Sequence, residues 1–460
     1  MNVLLVAPCT DPNNPAQWPP IGLASIATAL RDAGHTPHIA DWPRMYKTTA
    51  SFSRLVQELQ PDVVGFTCFT MNVKHVAFLA NIVRAFVPFA KIVIGGAHPS
   101  TLPDRVLSDI PDADFAVRGE GEVPMVALCD CLTHPERHAL RNVAGLITRD
   151  GINSPYFHPN VDAYGIPAWD LINPADYDIT TDPLGRAMPI LTSRGCPCRC
   201  SFCAANCVSG PKWRRRSMRT VFNELRLLHD DYGIRRFITY DEGFGSHKST
   251  MMEFCAELDK SPWLNDTKFD CGTGMRLDQI DEELLTTLKA HRFRPLIPFG
   301  IESGSDRLLK LMRKGTNQQL IREKITLLDK MGFHPSAYVI LGYPTETREE
   351  MEATIRMTLE LPFRQASYMC FMPLPGTEAT EKLIESGELP KDFDYSKLVG
   401  GAIAYAPKGM TVAELQDIRR KAILRFFWRP RILWGMMTSW REIVSMVRRL
   451  WRIYGKDRTV

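Results

Sequence analysis

The chain has 460 residues, of which 45% are hydrophobic and 23% charged, with a formal net charge of +4. That balance is the one of an ordinary globular protein and excludes disordered and collagen-like classes, while so small a charge asks for no acidic partner. The length accommodates about three domains, and no uncharged run approaches the ~18 residues that cross a bilayer.

Residues 1–6 carry neither a basic leader nor a cleavage site and run straight into an apolar stretch. A cytoplasmic, reducing setting is therefore expected, with the protein soluble or peripheral. From 1 to 135, short apolar runs alternate with helical patterns. Runs at 3–7, 38–40, 62–67, 91–94 and 115–117 read as strands, with helices at 21–33 and 73–86. This is the signature of a parallel sheet covered by helices. Most strands end in turn or polar residues: Pro8-Cys9-Thr10, Thr67-Cys68-Phe69-Thr70, Gly95-Gly96-Ala97-His98 and Arg118-Gly119-Glu120-Gly121-Glu122. Ligands of open α/β sheets sit outside the carboxyl ends of the strands, so these loops form a cofactor mouth. Neither glycine cluster matches a dinucleotide or phosphate-loop pattern.

Residues 136–185, rich in Pro, Asp and Tyr, read as a connector. A second series fills 186–390, with strands at 189–192, 236–240, 268–271, 296–301, 337–341 and 367–371. Six βα units are too few for an eight-stranded barrel, and a partial, open barrel is expected. Residues 391–460 form a helical C-terminal region. Between Arg419 and Lys456 it carries eleven Lys or Arg and one acid, Glu442. Trp440, Ile443, Val444, Val447, Leu450, Trp451 and Tyr454 recur at helical spacing, Ser439 with Glu442 makes a capping box, and Gly455 supplies a stop. Three readings compete for this helix at 439–454: docking on the barrel with solvated arginines, peripheral membrane contact, and nucleic-acid contact. Trp-rich anchors suit an interface better than phosphate tracking, so no nucleic acid is expected.

Five of the twelve cysteines lie between Cys196 and Cys207. In a reducing setting such clusters bind metal or do chemistry rather than pair. Cys196, Cys200 and Cys203, directly after a strand, have spacings that let one loop wrap a cuboidal iron–sulfur cluster and leave one iron open. The competing reading is structural zinc on Cys196, Cys200, Cys203 and Cys207, although zinc sites bring together two separated pairs. Cys198 and Cys207 are read as loop residues without a ligand role.

The Cys-x3-Cys-x2-Cys loop after a first barrel strand resembles the radical S-adenosylmethionine (SAM) superfamily. Gly300-Ile301-Glu302-Ser303-Gly304-Ser305, Lys314-Gly315, Leu341-Gly342-Tyr343-Pro344-Thr345-Glu346-Thr347 and Pro373-Leu374-Pro375-Gly376-Thr377-Glu378 are similar to segments of its cobalamin-binding branch. So are Trp18-Pro19-Pro20-Ile21-Gly22-Leu23, Gly95-Gly96-Ala97-His98-Pro99 and Arg118-Gly119-Glu120-Gly121-Glu122. The resemblance covers almost the whole chain. It includes C-methyltransferases and the anaerobic magnesium-protoporphyrin ester cyclases.

The resemblance implies a Rossmann-like, doubly wound cobalamin-binding domain at 1–135 and a (β/α)6 radical SAM barrel at 186–390. Its cofactors are a [4Fe–4S] cluster, SAM and cobalamin. Cys196, Cys200 and Cys203 would hold the cluster. By position, Asp241 and Glu242 would meet the SAM amino group, Arg276, Glu302 and Ser303 its carboxylate and ribose, and Gly342 its adenine. Pro8, Thr10, Thr67, Gly95, Gly96, His98, Gly119 and Glu120 would line the cobalamin mouth. An Asp-x-His-x-x-Gly motif is absent, so no histidine after the first strand is expected on cobalt. The implied activity is methylation of an unactivated carbon of a small or lipidic substrate, with an electron donor of flavodoxin or ferredoxin type. Oxidative cyclisation of a tetrapyrrole or other natural product, and a non-catalytic cobalamin or iron–sulfur sensor, are the alternatives.

Overall fold

A computed structural model describes residues 1–8, 18–42, 48–136, 139–177, 187–398 and 402–430. Thr10 and the helix expected at 439–454 lie outside the described residues. Five parallel strands, β1 (Asn2–Ala7), β2 (Thr36–Asp41), β3 (Val63–Thr67), β4 (Lys91–Gly95) and β5 (Phe115–Val117), form one sheet with a short β6 (Leu146–Ile147). The order is β2-β1-β3-β4-β5-β6, antiparallel only at the last step. The alternation of β1 explains the layering. Val3 and Leu5 pack on one face with Leu23, Ala27 and Leu128. Leu4 and Val6 pack on the other with Phe52, Val56 and Val76. The strand order turns back at β1, so the ends of β1 and β3 flank the switch-point crevice where such sheets bind ligands.

The stretch read as a connector does more than connect. Its β6 extends the first sheet past residue 135, and three side-chain bonds pin the rest of the stretch to both domains. Thr28 Oγ1 donates to Ile166 O at 2.8 Å, Tyr177 OH to Asp41 at 2.7 Å, and Trp169 Nε1 to Glu224 at 3.0 Å. A two-residue strand has no periodicity to read in advance.

The second series has all six expected strands: β7 (Met188–Ile190), β10 (Arg236–Thr239), β11 (Lys268–Cys271), β12 (Leu296–Glu302), β13 (His334–Leu341) and β14 (Gln365–Cys370). An antiparallel pair, β8 (Ser193–Arg194) and β9 (Arg214–Arg215), flanks the cysteine loop. The six strands are parallel and divide into β7-β10-β11 and β12-β13-β14. The two trios meet where Arg294 N donates to Phe269 O at 2.8 Å. Outward residues such as Phe237, Phe269, Phe299 and Val339 are buried under helices. The helix Val412–Phe427, capped by Thr411, packs Phe426 against Tyr368 of β14. Just beyond it, Arg429 donates to the carbonyls of Thr358, Leu359, Leu361 and Phe363, which closes the end of the helix Arg348–Glu360. Among the described residues, no helix is long and apolar enough to cross a membrane.

Candidate active site

The cysteine loop leaves β8 through Gly195 at φ +81°, where a Cβ would lie 2.3 Å from Lys212 O. Only glycine makes that turn. Backbone bonds then fix the loop: Cys196 N to Gly210 O at 3.2 Å and Ser201 N to Met312 O at 3.0 Å. The buried Ser201 hydroxyl meets Tyr343 OH at 2.8 Å. The loop presents Cys196, Cys198, Cys200 and Cys203 to one cavity of about 350 Å³, whose wall also holds Glu242, Arg276, Glu302 and Lys314. Cys207 is turned away, its thiol donating to Gly376 O at 3.4 Å. The four-cysteine zinc set is therefore not gathered. Three thiols from one loop, with Lys314 and Arg276 beside them, fit an iron–sulfur cluster whose thiolates need compensating positive charge.

Burial raises the thiols of Cys200, to about 11, and Cys203. Cys198 differs. A hydrogen bond from Cys196 and the guanidinium of Arg276, 2.9 Å away, hold it down at about 6. Arg276 also forks onto Asp278 at 2.8–2.9 Å. Glu302 has φ +57°, rare outside glycine, and pairs with Lys314 at 2.7 Å. Burial opposes the Lys314 charge, and Glu302 overrides it. A residue other than glycine held in that region is a mark of functional sites.

A second cavity of about 620 Å³ opens at the carboxyl ends of β1, β3, β4 and β5. Pro8, Thr67, Gly95, Gly96, Gly119 and Glu120 line it from the first domain, and Leu191, Tyr240, Asp241 and Glu242 from the barrel. Trp18 stacks on Tyr240 across the domain boundary with centroids 4.7 Å apart. Gly22, where an added Cβ would meet nothing within 4 Å, is on the same wall. Glycine-rich, apolar and broad, this cavity fits the flat ring of cobalamin. Glu242 stands on the walls of both cavities.

Four expected positions fall elsewhere. Asp241 faces the larger cavity rather than the cysteines, and Thr192 N, the Thr192 hydroxyl and the Ser193 hydroxyl all donate to its carboxylate. Burial pushes it up to about 6. Ser303 is fully buried and bonds Ser305 N at 3.1 Å, shaping a turn. Gly342, at φ +76°, lies against Leu415 of the C-terminal helix, and its N–H donates to Glu346 at 2.5 Å. His98 is buried between Asp109, at 3.3 Å, and Thr70, off the mouth. Glu120 lines the mouth, but Arg214 at 2.9 Å, Tyr164 OH at 2.7 Å and His158 N at 2.9 Å all donate to one oxygen of its carboxylate, Oε2. Against burial, Arg214 and Arg194 hold it below the usual carboxylate range. Sequence reasoning did not single out Lys314, Trp18, Tyr240 or Arg194. For Lys314 and Trp18 the signal was their place inside family-like motifs; for Tyr240 it was a strand end.

A partial barrel with a cysteine loop at its mouth, facing a second cavity in a doubly wound domain, is the architecture of an enzyme that joins an iron–sulfur site to a corrin site. Comparison with known proteins agrees. Residues 13–129 match the B12 binding domain and residues 190–358 the radical SAM superfamily. The chain is 29% identical to an uncharacterized methyltransferase of Pyrococcus horikoshii over 94% of both chains. It is 30% identical to an anaerobic magnesium-protoporphyrin IX monomethyl ester cyclase of Cereibacter sphaeroides, over 90% of this chain and 69% of that one. The fold matches the radical SAM methyltransferase TsrM of Kitasatospora setae, solved with cobalamin and a [4Fe–4S] cluster, at a TM-score of 0.68 and 21% identity, covering 84% of this chain and 74% of that one. This chain belongs to the cobalamin-binding radical SAM enzymes. Its cofactors are a [4Fe–4S] cluster, SAM and cobalamin.

Proposed function

We propose that the enzyme transfers a methyl group to an unactivated carbon of a small or lipid-like substrate. The observation that carries this reading is Glu242, which walls both cavities and so makes them one reaction space. Residues 1–135 would carry cobalamin, 186–390 the radical chemistry, and 391–460 would close the barrel. When bound, the cluster and SAM supply a hydrogen-abstracting radical and cobalamin supplies the methyl group.

The chain's own residues hold and orient these groups. Cys196, Cys200 and Cys203 hold the cluster. Glu242 receives the SAM ammonium, while Arg276 and Lys314 offer its carboxylate two cations. Pro8, Thr67, Gly95, Gly96 and Gly119 form the floor under the corrin. Trp18 and Tyr240 exclude water between the domains, which protects a reactive radical from side reactions. A flavodoxin or ferredoxin type of protein supplies the electron.

The test is anaerobic reconstitution with iron, sulfide and cobalamin, followed by turnover with methyl-labelled SAM and candidate lipids and tetrapyrroles. Label in the product supports methylation. Oxidised, unlabelled product supports cyclisation, the reading favoured by the 30% identity to a cyclase. Failure to form 5′-deoxyadenosine under reducing conditions overturns both and leaves a sensor.

A further inference from the structure

The two faces of the first sheet meet the rest of the molecule in different ways. On the face covered by the helices Ile21–Asp32 and Glu122–Thr133, one apolar core runs without a break from Leu23 and Leu128 through Trp169 and Ile172 to Ile190 and Val221. The buried Arg194–Glu122 and Arg214–Glu120 pairs lie at the same boundary. On the opposite face, covered by the helix Val73–Phe86, the core stays within the first domain among the described residues. The cluster around Tyr343, Phe371 and Leu389, on which Phe393 packs, is separate from it.

What joins these two clusters is the segment 393–397. Its turn Tyr395–Lys397 rests on the turn Thr70–Asn72. The Arg105 guanidinium stands 5.9 Å from the centre of the Tyr395 ring, and Arg105 Nη1 donates to Phe393 O at 3.5 Å. Lys74 meets Asp394 at 3.5 Å, the two side chains 75% and 43% exposed. These contacts are long or solvated, and exposed ion pairs hold little. Nearby, Gly376 passes so close to Thr101 that an added Cβ would lie 3.4 Å from its carbonyl, a contact that parts without breaking an ion pair. The weak tie nevertheless reaches the cofactor wall. Arg105 is 3.5 Å from Asp109, Asp109 is 3.3 Å from His98, and His98 is 3.4 Å from Thr70. Thr70 follows Phe69, which lines the cobalamin cavity.

We propose that residues 393–397 are a latch, and that the first domain swings about its fused face to admit cobalamin past Phe69. Both domains wall the cavity, so a macrocycle enters only when they part. They part where least is broken. Opening the fused face would expose a continuous core and strip buried ions of their partners, whereas the latch gives up one solvated pair, one long carbonyl bond and one ring contact. The latch concerns cofactor loading and stands apart from the reaction proposed above.

The test times hydroxocobalamin loading onto the full-length, cluster-loaded protein, read from the visible spectrum after rapid gel filtration. Release is timed in the same way once free cobalamin is removed. The latch contacts are the same with and without cofactor, so loosening them speeds loading and release together and leaves Kd nearly unchanged. Lys74→Glu, a surface change that sets two acids together, is expected to speed both about 2- to 5-fold. Lys74→Glu combined with Arg105→Ala is expected to speed both about tenfold. Tyr395→Phe keeps the ring beside Arg105 and keeps wild-type rates. So does Arg31→Ala, which removes an exposed pair with Asp170 on the hinge face. Unchanged rates in the double variant overturn the latch, as does an equal effect of Arg31→Ala. Faster release without faster loading also overturns it, and would make the segment a clamp on bound cofactor rather than a gate to its entry.

Discussion

Arg194 Nη2 donates to Glu122 Oε1 at 2.6 Å, and this buried pair ties the cysteine loop to the cobalamin domain. Arg194 stands two residues before Cys196, and Glu122 opens the helix Glu122–Thr133. Glu120 adds a second tie through Arg214 at 2.9 Å. The motif that resembles a cobalamin-binding segment thus also sets the distance between the two cavities.

Glu122→Ala leaves the buried Arg194 guanidinium with Glu120 alone, at 3.5 Å, and is expected to cost about 1–3 kcal/mol. Glu122→Leu combined with Arg194→Met replaces the pair by apolar contact and should recover most of that loss in urea unfolding. It should not recover registration: the ratio of 5′-deoxyadenosine to methylated product rises in the double variant. A wild-type ratio would reduce the pair to a fastener.

Alanine at Cys196, Cys200 or Cys203 is expected to abolish the visible absorbance and iron content of the reconstituted protein. Cys207→Ala leaves both intact, because that thiol is spent on Gly376 O. Cys198→Ala also keeps the cluster while freeing Arg276 from its sulfur contact. Loss of iron in the Cys198 variant would overturn the ligand assignment.

The strands were legible because buried parallel strands read as continuous apolar runs. The cysteine loop was legible because its geometry is local. What escaped reading depends on contacts distant in sequence. Arg194 meets Glu122 across 72 positions, and Lys314 reaches Glu302 only because the chain turns back after the helix Asp306–Leu311. Asp241 sits at a strand end as expected, yet such a residue can face either of two cavities, and Thr192 and Ser193 decide which. Gly342 belongs to a motif that resembles a SAM segment, but its positive φ and the approach of Leu415 account for the glycine without a ligand.

Lys314→Met should weaken SAM binding about 10- to 100-fold, the range of a lost charge-assisted bond. Equilibrium dialysis of the cluster-loaded protein measures this. Lys314→Arg should restore part of the affinity. Equal affinity in all three proteins would show that the ammonium serves only Glu302.

Glu346 makes stability depend on pH in a direction opposite to most carboxylates. Burial pushes it up to about 8. One oxygen accepts from Gly342 N and Tyr343 N at 2.5 and 3.1 Å, while the other is buried without a hydrogen-bond partner. The unfolded chain binds a proton there only below about 4.3. Between those values the folded state holds the extra proton, so stability falls as pH rises from about 4 to about 8 and is level above. Glu346→Gln keeps the acceptor for both backbone N–H groups and does not titrate. Its advantage over wild type in thermal unfolding should therefore be near zero at about pH 4, grow through pH 7 and level off above pH 8. The full gap is at most about 5 kcal/mol on the linkage scale. A difference that stays constant over that range would mean the carboxyl is ionised throughout, with its second oxygen satisfied by solvent.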